Sequence, residues 1–171
     1  MAPARLKREF FIRDVLEVAP ELPGKFLVIR NPDRSVTRIM ITDVEAYRGG
    51  EDLACHASKG RTNRTEIMFH KGGHLYVYLI YGMYWMLNVV TGKPNAPQAV
   101  LIRGLEGLDG PGKLTKALSI DRSYYGECII DSDRIWIEGP GIKADIRTGP
   151  RIGIDYAGEY WSKVEWRFFI K

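Results

Sequence analysis

Residues 75–90, LYVYLIYGMYWMLNVV, limit what this chain can fold into more than any other segment. They form its longest apolar stretch, short of the roughly 20 residues that a membrane-spanning helix needs. Four tyrosines, Gly82 and Asn88 also interrupt it, so a transmembrane helix is excluded. Alternation from Leu75 places Val77, Leu79 and Tyr81 on one face of a strand and Tyr78 on the other. Gly82 breaks that pattern, and the stretch reads as two strands joined around Tyr81-Gly82-Met83-Tyr84.

Runs rich in β-branched residues and bounded by turn residues mark further strands at 25–30, 36–44, 99–103, 129–138 and 164–170. A first short helix is expected at 12–18. Residues 47–59 read as a loop followed by a short helix, and 112–118 as a helix start. Strands outnumber helices and do not alternate regularly with them, which argues for a mixed α+β fold. The expectation is one domain over residues 1–171, with a largely antiparallel curved sheet, short helices and a protruding β-hairpin. At 171 residues the chain is long enough for a substantial core.

The density of chemistry between Asp43 and Asn88 is unusual. Glu45 follows the run Ile39-Met40-Ile41-Thr42, at the expected end of a strand. Tyr47 and His56 offer flat faces, and Lys59, Arg61 and Arg64 make a basic loop before the tyrosine-rich hairpin. A carboxylate, aromatic rings, cations and an aromatic wedge are together what is needed to extrude one base from a duplex and cut its sugar bond. The formal net charge of +4 suits a polyanionic partner.

Two other motifs point elsewhere and fail. Gly107 to Leu114 has P-loop spacing, but Leu114 stands where the magnesium-binding hydroxyl belongs and Pro111 removes a phosphate-binding amide. His70 and His74 have i, i+4 spacing, yet Gly72 and Gly73 between them make a helix improbable, so no metal site is expected. Cys55 and Cys128 form neither a disulfide framework nor a zinc pattern.

The order of these residues resembles the alkyladenine (3-methyladenine) DNA glycosylase family. The resemblance runs through Val44-Glu45-Ala46-Tyr47, Glu51-Asp52, Ala54-Cys55-His56, Met68-Phe69 and Leu75 to Tyr84. It continues at Asn88-Val89-Val90, Ala99 to Arg103, Gly110 to Leu114, Arg151 to Ile154 and Ala157-Gly158-Glu159. Glu9-Phe10-Phe11 also resembles the family's opening, so nearly the whole chain is covered.

What the resemblance implies is specific. Glu45 aligns with the general base, and Arg103 lies near it and the nucleotide backbone. Tyr47, His56 and Tyr78 wall a base pocket whose floor is Asn88, an amide that discriminates against the 2-amino group of guanine. Tyr81 is the intercalating wedge. Lys59, Arg61, Arg64, Met83 and Lys113 are candidate DNA contacts, with Lys113 first among the cations because it starts a helix. No lysine aligns with a nucleophile, so the activity implied is monofunctional hydrolysis, without a cofactor, of alkylated or deaminated purines in double-stranded DNA. The lesion types implied are 3-methyladenine, hypoxanthine and ethenoadenine, with 7-methylguanine beside them, and the sequence ranks none above the others.

A monomer without membrane attachment is expected, cytoplasmic and nucleoid-associated if bacterial or nuclear if eukaryotic. The alternative is a non-catalytic damaged-DNA-binding protein, which would need the wedge and the cations but not Glu45.

Overall fold

One long strand organises the molecule. The structure, a computed structural model, describes residues 2–170. In chain order it contains β1 (Ala4–Arg5), α1 (Arg8–Phe11), α2 (Val15–Val18), β2 (Phe26–Arg30), β3 (Val36–Arg48), β4 (Leu75–Ile80) and β5 (Tyr84–Thr91). Then follow β6 (Gln98–Leu105), β7 (Leu108–Asp109), α3 (Pro111–Ala117), β8 (Ile135–Gly139), β9 (Ile146–Gly149), α4 (Glu159–Lys163) and β10 (Arg167–Ile170). Short 3-10 turns at His56–Lys59, Glu66–Phe69 and Asp155–Ala157 lie between them. The fold is α+β, built on a ten-stranded sheet with the main order β1-β8-β2-β3-β6-β5-β4.

β3 is 13 residues long. Its first part pairs with β2, its last part with β6, and Asp43 to Glu45 pair with β10. Every pairing is antiparallel. The sequence suggests that this strand ends at residue 44, because Asp43 and Glu45 are charged. β10 on one side pairs with it as far as Glu45, and β6 on the other carries it on to Arg48, so Glu45 lies inside a strand rather than at its end.

Strand periodicity sorts the side chains into two layers. Val44, Ala46, Leu75, Val77, Leu87, Val89, Val100 and Ile102 face the main core, which Phe11, Val15, Leu22 and Leu114 cover from the helices. The intervening residues face the other way. There a smaller cluster holds Cys55, Met68, Tyr76, Val90 and Ala99, with Tyr47 and Tyr78 against it.

Three local expectations are corrected. Of the helix expected at 12–18 only α2, from Val15, forms, because Asp14 accepts from Leu16 N at 2.9 Å and caps a start there, and α1 lies before the expected range. Of the strand expected at 129–138 only Ile135 onward is extended. Ser132 Oγ accepts from the amides of both Arg134 and Ile135 and donates to Glu127, turning the preceding residues into a tight bend. The closing strand begins at Arg167, not at 164.

At the hairpin the break expected at Gly82 decides where Tyr81 points. Leu75 and Val77 do point into the core, with Tyr76 and Tyr78 opposite. Tyr81 does not follow its parity. Met83 N donates to Ile80 O at 3.1 Å, and Tyr81 (φ 53°) and Gly82 (φ 65°) both adopt left-handed conformations. Paired positive φ values match the twist of antiparallel strands, and here they swing Tyr81 out of the core face. Tyr81 is 85% exposed, beside Met83 at 64%.

The C-terminal segment is fastened to β3 by a buried ion pair. Arg151 Nη1 and Nη2 donate to Asp52 Oδ2 and Oδ1 at 2.6 and 2.9 Å, and neither side chain is exposed. Asp52 also accepts from the amides of Arg48 and Ala54, both at 3.0 Å, and Arg151 Nη1 donates to Ala46 O at 2.9 Å. The guanidinium packs 4.8 Å from the centre of the Tyr47 ring.

Two expectations about stability result. Tyr81→Ser should change unfolding free energy by no more than about 1 kcal/mol, as at most exposed positions. A cavity-sized loss of about 3–5 kcal/mol on melting would return Tyr81 to the core. Asp52→Ala leaves Arg151 charged and buried without its partner, and should cost about 3–5 kcal/mol in urea unfolding.

Candidate active site

One row of paired residues crosses four strands of the sheet. Tyr76 on β4 is opposite Asn88 on β5, Asn88 is opposite Leu101 on β6, and Leu101 is opposite Glu45 on β3. Because directly paired residues share a face, the row puts Tyr76, Asn88 and Glu45 on the side away from the main core. Tyr47 and Tyr78, two positions along their strands, join them there. A cleft of about 770 Å³ opens on this face, with Glu45, Tyr47, His56, Arg64, Tyr78, Tyr81 and Arg103 among its lining residues.

Arg103 reaches the site through a pair of irregularities. Asp43 pairs with Gly104 but Val44 with Ile102, which leaves Arg103 without a partner on β3. Bulges of this kind re-aim a side chain. Arg103 Nη1 lies 3.6 Å from Glu45 Oε1.

Glu45 itself has no exposed surface. Its Oε2 accepts from the amide of Ile152 at 2.6 Å, and Oε1 accepts from the Tyr47 hydroxyl at 3.0 Å. Burial raises its pKa; Arg103, the Ile152 amide and Tyr47 oppose this, and the net shift is upward. The nearby carboxylate of Asp43 is held by Arg167 at 2.8 Å.

The aromatic wall is cross-linked. The His56 and Tyr78 rings meet edge to face at 4.6 Å, and Tyr76 and Tyr78 lie 5.2 Å apart. His56 Nδ1 is 2.8 Å from the Tyr76 hydroxyl, which also accepts from Arg64 Nε at 3.2 Å. The contact suits either neutral tautomer, the hydroxyl donating to a bare Nδ1 or accepting from a protonated one through its second lone pair. Burial, then the charges of Arg64 and Lys59, push the His56 pKa down to about 4, so the ring is neutral at pH 7. Asn88 is buried on the same side, its Nδ2 donating to Tyr76 O at 3.2 Å. The inner recess between Tyr47, His56, Tyr78 and Asn88 encloses about 30 Å³, the volume of roughly one water molecule.

The expected cations separate. Lys59 is exposed at the cleft. Arg61 donates to Asn95 at 2.7 Å, lies 3.6 Å from Glu66 and stacks on Phe69, so it is tied to its own loop. Arg64 turns toward the aromatic wall, its guanidinium 4.9 Å from the centre of the Tyr78 ring. Lys113 is exposed in the first turn of α3. Met83 is exposed beside Tyr81.

Several lining residues carry no individual signal in the sequence. Ile152 contributes through its backbone amide, which any residue but proline has. Tyr156, 69% exposed, stands at the cleft with its hydroxyl donating to Ala54 O at 3.1 Å. Tyr76 is one of several tyrosines, and only the row of paired strands singles it out. His70 Nε2 lies 3.4 Å from Glu66, and among the described residues no group of three or more His, Cys, Asp or Glu side chains gathers as a metal site would require. Among them, too, no helix is long and apolar enough to cross a membrane.

Comparison with known proteins identifies the family. The family model described as methylpurine-DNA glycosylase matches residues 9–110 and 107–171. A protein of Psychrobacter cryohalolentis is 43% identical over 90% of this chain and 86% of its own length. One from Methanocella arvoryzae is 44% identical over 97% and 92%. A third, from Legionella pneumophila strain Corby, is 45% identical over 98% and 94%. All three bear the name "Putative 3-methyladenine DNA glycosylase". With the match extending from residue 9 to the C-terminal strand and taking in the row that carries Glu45 and Asn88, the chain belongs to the methylpurine-DNA glycosylase family, hydrolases of N-glycosyl bonds in DNA.

Proposed function

We propose that this protein is a monofunctional glycosylase that extrudes alkylated or deaminated purines from duplex DNA and hydrolyses their N-glycosidic bonds. The observation that carries the reading is the setting of Glu45. It is a buried carboxylate between Arg103 and the Ile152 amide, on the wall of a cleft whose other side is aromatic. A damaged-DNA-binding protein without catalysis would have no use for such a carboxylate, and burying one is costly.

The steps follow from the chemistry. Tyr81 enters the stack from the hairpin tip and fills the space of the extruded nucleotide. The purine then lies among Tyr47, His56 and Tyr78, where stacking contributes about 1–3 kcal/mol per base. The rings must part to admit it, since the inner recess is far smaller than a purine. Glu45 takes a proton from water as the water oxygen bonds to the anomeric carbon, while the C–N bond breaks and its electrons leave with the base. The same carboxylate offsets the positive charge that develops on the sugar. Free base and an abasic site are the products.

Asn88, held by Tyr76 O, fits the floor of the pocket, where its amide would oppose the 2-amino group of guanine. Lys59 and Lys113 are available to phosphates. The substrate is double-stranded DNA with a damaged purine, and the protein acts as a monomer.

Glu45→Gln keeps the shape and removes the base, so single-turnover release of hypoxanthine should collapse while lesion binding survives. In the wild type the base works only when ionised. The rate should therefore fall on acidification with a midpoint above the ordinary glutamate value of 4.5, because the folded pKa is raised. Arg103→Gln removes a charge that lowers this pKa, and should move the midpoint further up. A midpoint at or below 4.5 that Arg103→Gln leaves in place would exclude Glu45 as the titrating base.

Asn88→Ser should admit purines with a 2-amino group. Undiminished rejection of such bases, with hypoxanthine release intact, would show that Asn88 is not the gate.

A further inference from the structure

We propose that Arg64 is a specificity-determining residue of the cleft, favouring purines that are neutral in DNA over purines that are cationic there. The inference rests on the glycosylase reading above and deepens it. Arg64 comes from the basic loop and would pass for one more phosphate contact. Its geometry is different. The guanidinium is 4.9 Å from the centre of the Tyr78 ring, Nε donates to the Tyr76 hydroxyl at 3.2 Å, and Nη2 lies 3.3 and 3.5 Å from the two ring nitrogens of His56. Three aromatic residues of the base pocket thus hold one permanent cation at its mouth.

The consequence depends on the charge of the lesion. Alkylation at N3 or N7 makes the purine ring cationic while it is attached to the sugar. An electron-rich aromatic wall attracts such a ring, but here the face of Tyr78 is already engaged by the protein's own cation. A second positive charge brought alongside is repelled. Hypoxanthine and ethenoadenine are neutral in DNA and depart with the electrons of the broken bond, so negative charge grows on the ring in the transition state. Arg64 is fixed where that charge develops and stabilises it. His56, neutral at pH 7, adds no further charge. A cationic purine departs neutral and gains nothing from Arg64.

The test is single-turnover excision by the full chain from two otherwise identical duplexes, one with hypoxanthine and one with 7-methylguanine. Wild type is compared with Arg64→Gln and Arg64→Lys, and binding to undamaged duplex is measured across a salt series. Arg64→Gln is expected to lower the hypoxanthine to 7-methylguanine rate ratio about tenfold, with the salt dependence of binding unchanged. Arg64→Lys keeps the charge without the flat fork, and is expected to retain most of the ratio. Arg64 is exposed, so both variants should melt with the wild type. If Arg64→Gln slows both lesions by one factor and reduces the salt slope by about one, Arg64 is a phosphate contact and the proposal is wrong. An unchanged ratio also overturns it. If the wild type releases neither base, it is the glycosylase reading that fails, and this inference falls with it.

Discussion

The ion pair between Asp52 and Arg151 is the contact on which the site depends. It joins residues 99 positions apart with no exposure at either side chain. Its worth lies in geometry more than in net stability, since the cost of desolvating two charges offsets much of their attraction. Asp52 caps the turn that leads to His56, and Arg151 carries the next residue, Ile152, to the carboxylate of Glu45. The same guanidinium backs the Tyr47 ring. One bidentate contact thus fixes the register between the carboxylate, one aromatic wall and the loop that covers them.

Charge in the cleft is arranged around one buried carboxylate. Arg103 and the Ile152 amide hold it, and Arg64 and Lys59 line the same cleft. His56, neutral beside Arg64, adds no charge of its own.

Much of this arrangement was legible in the sequence, because it is written in strand periodicity. Tyr76 and Tyr78 alternate with Leu75 and Val77, and the two layers of the sheet follow from that. The resemblance to glycosylases supplied Glu45, Tyr47, His56 and Asn88, and the fold places all four at one cleft or its inner recess. What could not be read depends on distant partners. Asp43 and Glu45 look like a strand end because the residues that satisfy them, Arg167, Arg103 and Ile152, lie more than 50 positions away. Arg64 resembles its neighbour Arg61 in the sequence, and only the position of Tyr78 distinguishes them. Parity alone would put Tyr81 in the core, and it is Gly82, visible in the sequence, that marks the turn where parity ends. Residues 129–134 look extended until Ser132 is seen to take both following amides.

The hairpin tip has a consequence for the energetics of recognition. Tyr81 is already locked in its left-handed turn before it meets anything, between strands paired up to Ile80 and Tyr84. Holding a tyrosine in that conformation costs about 1 kcal/mol or slightly more, a strain carried by the free protein. In return the backbone has no freedom left to lose on contact. Only the two side-chain torsions of the ring remain to be ordered, the small entropic cost that makes tyrosine an effective anchor in preorganised binding surfaces.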